Sequence, residues 1–156
     1  MPREIIKTGQ IAENRKARFE YSINDTIEAG LALTGAEVKS LRYGLVNISD
    51  GFVQHRGDEL ILANVNIEPL KTANKIVKFD PRRYRQLLLH RAQIRRMAGQ
   101  LNEKGATIVP LKLYFNNDGL AKVLLGVGFG KNRADKRETI KKREWSRTKS
   151  RIMKRK

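Results

Sequence analysis

Apolar and polar positions alternate from Ala17 to Ile23, where Ala17, Phe19, Tyr21 and Ile23 are separated by Arg18, Glu20 and Ser22. Alternation of period two is the pattern of a strand with one buried face, because successive side chains point to opposite sides. Asn24-Asp25 is turn chemistry. Ile27, Ala29, Leu31 and Leu33 then resume the alternation, with Gly30 placed for a bulge or a close contact. Together these two runs predict a hairpin. Thr34 followed three residues later by Glu37 is a capping box, which opens a short helix with Val38 and Leu41 facing inward and Gly44 at its end.

The pattern continues with strands at 52–54 and 60–67 joined through His55-Arg56-Gly57-Asp58. A loop follows over 67–83, marked by Pro69 and Pro81, and then a buried strand at 85–90 containing Leu87-Leu88-Leu89. Ile94, Met97, Ala98 and Leu101 share one face of an amphipathic helix that stops at Gly105. Strands at 107–115 and 121–128 flank the turn Asn116-Asn117-Asp118-Gly119. The sum is a mainly β chain with two inserted helices and strands paired to their sequence neighbours. A small closed barrel fits best, since closure removes the exposed edges of a cationic sheet. No internal repeat is found. Residues 1–130 have the length of one domain with one core.

Charge changes the picture at the far end. Residues 131–156 hold 13 Lys/Arg against Asp135, Glu138 and Glu144, which makes ten of the chain's net +17. Their large apolar residues are Ile140, Trp145, Ile152 and Met153. So little apolar surface does not offset the entropy of ordering, and the segment reads as a tail that is disordered when free. Asp135 and Glu138 can cap a helix, and Trp145, Ile152 and Met153 would share one face of it, so folding is expected on a polyanion that neutralises the charge. RNA or DNA is that polyanion, with an anionic membrane surface as the lesser reading. No cysteine is present, which excludes disulfides and thiolate chemistry and fits a reducing cytoplasm. No secretory signal or membrane span is read, and no cofactor is implied.

The chemistry points to a binder and not to an enzyme. His55 lies in a turn and His90 ends an apolar run, and neither has partners spaced for a metal or a triad. Gly126-Val127-Gly128-Phe129-Gly130-Lys131 lacks the spacing of a phosphate loop and reads as a glycine-bearing strand. Basic residues collect at Asn14-Arg15-Lys16, at Lys78, Arg82, Arg83 and Arg85, and at Arg91, Arg95 and Arg96. The Pro81-Arg82-Arg83 loop, with Asp80 as its one nearby carboxylate, is read as a phosphate contact, whereas Arg95 and Arg96 fit a solvated helix face equally well. Glu37 has two readings, a helix cap or an acceptor for RNA base edges and ribose hydroxyls.

The segments Asn14-Arg15-Lys16-Ala17, Leu33-Thr34-Gly35-Ala36-Glu37-Val38-Lys39-Ser40-Leu41-Arg42 and Asn47-Ile48-Ser49-Asp50 resemble the SmpB family of SsrA-binding proteins. The resemblance runs on through Asp80-Pro81-Arg82-Arg83, Leu87-Leu88-Leu89-His90, Val109-Pro110-Leu111-Lys112-Leu113-Tyr114-Phe115 and Gly130-Lys131. It ends with Asp135-Lys136-Arg137-Glu138 and the stretch from Trp145 to Lys154, so it covers essentially the whole chain. It implies an OB-like β-barrel with embedded helices and a basic C-terminal tail. It also implies binding to the tRNA-like domain of transfer-messenger RNA, and delivery of that RNA to stalled bacterial ribosomes for peptide tagging. Elongation factor Tu would be met only through the charged RNA, and the protein would act as a monomer.

On the body, the resemblance ties Glu37, Leu88 and His90 to RNA binding, with Asn14, Arg15, Lys16, Lys39, Arg42 and Lys122 as further candidates. In the tail it assigns Gly130, Lys131, Arg133, Asp135, Lys136, Arg137 and Trp145 to the ribosome, its decoding centre and message channel, and Ile152 and Met153 to the apolar pair that supports peptide tagging. One departure stands out: the family commonly has His or Tyr where this chain has Ala134, which leaves Arg133 as the neighbouring group able to stack. The rival readings are a ribosomal or ribosome-assembly RNA-binding protein, and an RNA-modifying enzyme for which no catalytic residue is found.

Overall fold

The fold is a computed structural model that describes residues 5–70 and 79–130. The readings made for Lys78 and for the tail, with Lys131, Arg133, Ala134, Asp135, Lys136, Arg137, Trp145, Ile152 and Met153, lie outside the described residues. The described chain runs β1 (Gly9–Glu13), α1 (Arg15–Glu20), β2 (Tyr21–Leu31), α2 (Gly35–Arg42), β3 (Val46–Asn47), β4 (Phe52–Arg56), β5 (Glu59–Ala63), β6 (Asn66–Ile67), β7 (Arg85–Leu88), α3 (Arg91–Leu101), β8 (Ala106–Phe115) and β9 (Ala121–Gly130).

Seven strands form one antiparallel sheet in the order β1-β8-β9-β2-β7-β5-β4, and β3 pairs with β6 apart from it. The sheet wraps a core that includes Leu41, Leu60, Leu62, Leu87, Met97, Ile108, Val123 and Leu125. A smaller cluster of Ala17, Val109 and Leu111 seals one end.

The mainly β reading with inserted helices holds, but strands do not pair chiefly with their sequence neighbours, since only β4–β5 and β8–β9 join consecutive strands, and four local expectations are corrected. The first run of alternation is a strand only from Tyr21: residues 15–20 are helix α1, nucleated when the Asn14 side chain accepts from Ala17 N–H at 3.0 Å. Asn24-Asp25 makes no hairpin turn. β2 passes straight through, taking up the extra residue as a register shift against β9 between Ile23 and Asp25. The Leu87-Leu88-Leu89 run is not uniformly buried, because β7 alternates and turns Leu88 outward. Finally, the ring expected of a closed barrel is not formed, since β1 and β4 end the strand order without pairing.

At the open side of the sheet β4 lies against β8. That strand already bonds β1 on one side and β9 on the other, so β4 meets it by packing and not by a ladder. At this junction Gly51 lies so close to Pro110 and Val65 that a Cβ on it would fall 2.8 Å from each. Asn14, 1% exposed, bridges the gap by donating from Nδ2 to Ile48 O at 3.3 Å and to Pro110 O at 2.9 Å. Pro110 is tolerated in this interior strand because a bulge follows it: Pro110 faces Leu125, Lys112 faces Leu124, and Leu111 is extra.

β9 accounts for the glycine run. Gly126 and Gly128 are paired within the sheet. A Cβ on Gly126 would meet Leu111 Cδ1 at 2.7 Å, and one on Gly128 would meet Ile23 Cδ1 at 2.9 Å. They are contact glycines and not a phosphate cradle. Gly126→Ala should therefore lower unfolding stability by about 1–3 kcal/mol through overpacking against Leu111. Chemical denaturation checks this, with the exposed-turn variant Asp118→Ala as the control that stays near wild type.

Candidate nucleic-acid interface

Strand register brings distant parts of the sequence to one outer face. Leu88 pairs with Gly30, Gly30 with Lys122, Lys122 with Tyr114, and Tyr114 with Gln10. Directly opposed residues share a face, so these five form a row across β7, β2, β9, β8 and β1. Leu88 is 53% exposed although its neighbour Leu87 is 2% exposed, which marks the outward side of β7. Gly30 is the low point of the row, where a Cβ would sit only 3.1 Å from Leu88 Cβ. The face thus offers an apolar side chain, a groove floor and a cation in sequence.

The next row adds a carboxylate. Glu28 opposes Leu124, which in turn opposes Lys112. Glu28 is exposed, and its Oε2 accepts a hydrogen bond from the Tyr114 hydroxyl. Burial first, then that bond and the Glu28 charge, push the Tyr114 phenol up to about 12, so it remains a donor throughout the physiological range. Neither residue was singled out from sequence. Alternation from Ile27 does place Glu28 on the polar side, but only the long-range register with β9 and β8 shows what stands beside it.

Glu37 sits elsewhere, in the interior. Its capping box with Thr34 forms as expected: Glu37 N–H donates to Thr34 Oγ1 at 3.2 Å and Thr34 N–H to Glu37 Oε1 at 2.9 Å. The same carboxylate also takes two arginines. Arg83 Nη2 donates to Oε1 at 2.6 Å, and Arg85 Nε to Oε2 at 2.6 Å. Arg85 has a fully buried side chain and continues to Val65 O at 2.9 Å and Pro81 O at 3.2 Å. Burial raises the Glu37 carboxyl, but the bond from Arg83, the Thr34 N–H, and the charge and bond of Arg85 outweigh it and hold the group below its ordinary 4.5. Asp80 is therefore not the one carboxylate near these arginines, and Arg83 is already half committed to the fold.

The other sequence candidates fall into three groups. Asn14 is buried and engaged in the junction described above. Arg15 and Lys16 are exposed on α1, where Lys16 Nζ lies 3.0 Å from Asp50 Oδ1. The Asp50 hydrogen bond and charge raise the Lys16 ammonium. Lys39 and Arg42 are exposed on α2, Arg82 is exposed in the turn before β7, and Gly130 ends β9 at the surface. His90 is exposed and caps α3, its N–H donating to Gln93 Oε1 at 3.0 Å.

Arg91, Arg95 and Arg96 project from the exposed side of α3, and Arg96 pairs with Asp25. Among the described residues no group of three or more His, Cys, Asp or Glu is placed to hold a metal, and no helix is long and apolar enough to cross a membrane.

Comparison with known proteins agrees along most of the chain. The family model described as SmpB protein matches residues 11–155. An SsrA-binding protein of Rhodopseudomonas palustris is 52% identical over 143 residues, covering 92% of this chain and 90% of the relative. One from Caulobacter vibrioides is 50% identical over 144 residues, covering 92% and 94%. A chain from a solved structure of tmRNA-SmpB, described as a journey to the center of the bacterial ribosome, superposes with TM-score 0.67 at 46% identity, covering 86% of this chain and 94% of that one.

The Glu37 clamp generates a stability prediction. Glu37→Gln leaves Arg85 buried without its counter-charge and should cost about 3–5 kcal/mol near neutral pH. Because the folded-state value of Glu37 is depressed, its contribution is present above about 4.5 and is lost as pH falls through the lower folded value. Denaturation across a pH series should show a constant gap between wild type and variant above that point, closing below it.

Proposed function

The chain belongs to the SmpB family, and on that premise we propose that it binds transfer-messenger RNA and serves trans-translation at stalled ribosomes. The observation that carries this reading is a match at about half identity over nearly the full length of SsrA-binding proteins. The outer face supports it physically. Leu88 supplies an apolar contact for a base or ribose, Lys122 a phosphate partner, and Glu28 an exposed acceptor for base amino groups or ribose hydroxyls. Gly30 lets the backbone of the RNA approach between them.

In this reading Glu37 is a positioning residue. It orients Arg83 and fixes the turn that carries Arg82, and RNA feels it through those guanidiniums. Asn14 acts in the same indirect way, while Arg15, Lys16, Lys39 and Arg42 supply cations around the face. The open, rolled sheet serves as an OB-like frame, rigid enough to present one face to a folded RNA. No step in the role calls for a catalytic group, so the protein shapes and delivers its RNA without turnover. Elongation factor Tu is reached only through the aminoacylated RNA, and the chain acts as a monomer.

The basic tail, residues 131–156, senses the empty message channel, folding there as ribosomal phosphates neutralise it. Gly130, the last residue of β9, leads into it. Lys136 and Arg137 contact the decoding centre, with Asp135 capping the tail helix, and Trp145, Ile152 and Met153 pack its apolar side. Arg133 stacks in place of the ring that Ala134 lacks.

Two measurements test the assignment. At about 0.2 M salt, where non-specific phosphate contacts are weakened, the full chain should hold the tRNA-like domain tightly against excess ordinary tRNA. Equal competition would favour a generic ribosome-assembly RNA binder. Glu28→Gln and Leu88→Ala should each weaken that binding by about 1–3 kcal/mol. Truncation after Arg137 should leave the affinity near wild type and abolish peptide tagging, and tagging by the truncated chain would refute the division of labour.

A further inference from the structure

Tyr84, just before β7 and on the same outward side as Leu88, is 50% exposed. Arg56, at the end of β4, lies over its ring with the guanidinium carbon 4.5 Å from the centroid, a cation–π contact that holds the ring in place. Tyr84 also lines an open groove of about 650 Å³ shared with Phe52, Ala63, Asn64, Asp80, Arg82 and Arg83.

The groove is built, not incidental. Its rim residue Asn64 has a φ of 59°, a left-handed conformation that asparagine tolerates, and its Nδ2 donates to Asp50 O at 3.1 Å. The single acid in the lining, Asp80, is turned to the backbone, its Oδ1 accepting Arg82 N–H at 3.0 Å. Arg82 itself is exposed beside it. A fixed aromatic face, a second aromatic at the wall and exposed guanidinium charge are the elements that take an unpaired nucleotide: the base stacks and the phosphate is forked. An acidic peptide would use the arginines but has no need of a fixed ring.

Resting on the RNA-binding reading above, we propose that this groove stacks one unpaired nucleotide of the same RNA that occupies the Leu88–Lys122 face, its base on Tyr84 and its phosphate toward Arg82. Four residues of extended chain separate Tyr84 from Leu88, about 13 Å, a span that a short single-stranded step crosses. Tyr84 would thereby extend the interface from a folded surface to a looped-out base.

The test measures affinity of the full chain for the tRNA-like domain across a salt series. Tyr84→Ala should weaken binding roughly ten-fold with the salt slope unchanged, and Tyr84→Phe should bind like wild type. Tyr84→Leu, which keeps apolar bulk but has no π face, should lose affinity as alanine does and guards against a merely structural effect. Arg82→Ala should lower both the affinity and the salt slope. Wild-type affinity in Tyr84→Ala and Tyr84→Leu, with Leu88→Ala and Lys122→Ala weakened, would overturn the stacking site alone. Wild-type affinity in all four would overturn the outer-face reading and this proposal with it.

Discussion

One buried carboxylate ties together the parts of this protein that must not move. Glu37 accepts from the first turn of α2, from Arg83 in the turn before β7 and from Arg85 at the start of β7. Arg85 passes the connection on to Val65 beyond β5 and to Pro81. A charge-assisted bond of this kind contributes about 1.5–3 kcal/mol, but a larger effect is geometric. With both guanidiniums oriented by one acid, the register of β7 against β2 is set, and with it the outward position of Leu88. Burying the Glu37 and Arg85 charges is costly unless their hydrogen bonds are met, and here both carboxylate oxygens are engaged. That makes the clamp a source of specificity more than of net stability.

Register then does the rest. Gly30 faces Leu88 on one side and Lys122 on the other, so a single glycine centres a row contributed by five strands. Contact glycines on β9 let α1, β2 and β8 close tightly at the other end of the sheet. β4 meets β8 by packing and not by a ladder, and the Asn14 amide bridges that junction. The open edges of β1 and β4 are short, which limits the hazard that an unpaired edge presents.

Much of this was legible in the chain. The capping box at Thr34 and Glu37, the α3 face of Ile94, Met97 and Leu101, and the β4–β5 and β8–β9 hairpins follow from local chemistry and period. What local pattern could not reach was anything decided over long separations. Alternation at Ala17 to Ile23 suited a strand, yet the Asn14 cap and the packing of Ala17 on Val109 and Leu111 made its first half a helix. Three consecutive leucines looked buried, but the pleat of β7 exposes the middle one. Glu37 had both roles open, and the two arginines 46 and 48 residues away decide that its oxygens are held within the fold. Glu28 was passed over because its significance lies in β9 and β8, not in its own neighbours.

The charge is divided between a folded face whose cations are spaced by strand register and 26 further residues, half of them lysine or arginine. The central claim is that the row through Leu88, Gly30, Lys122 and Tyr114 is the surface that takes the RNA. Hydroxyl-radical footprinting of the protein, free and saturated with the tRNA-like domain of transfer-messenger RNA, tests it most directly. Strong loss of oxidation at Leu88 and Tyr114 is expected in the complex. Unchanged oxidation at both, with protection appearing instead along the arginine-bearing side of α3, would contradict it.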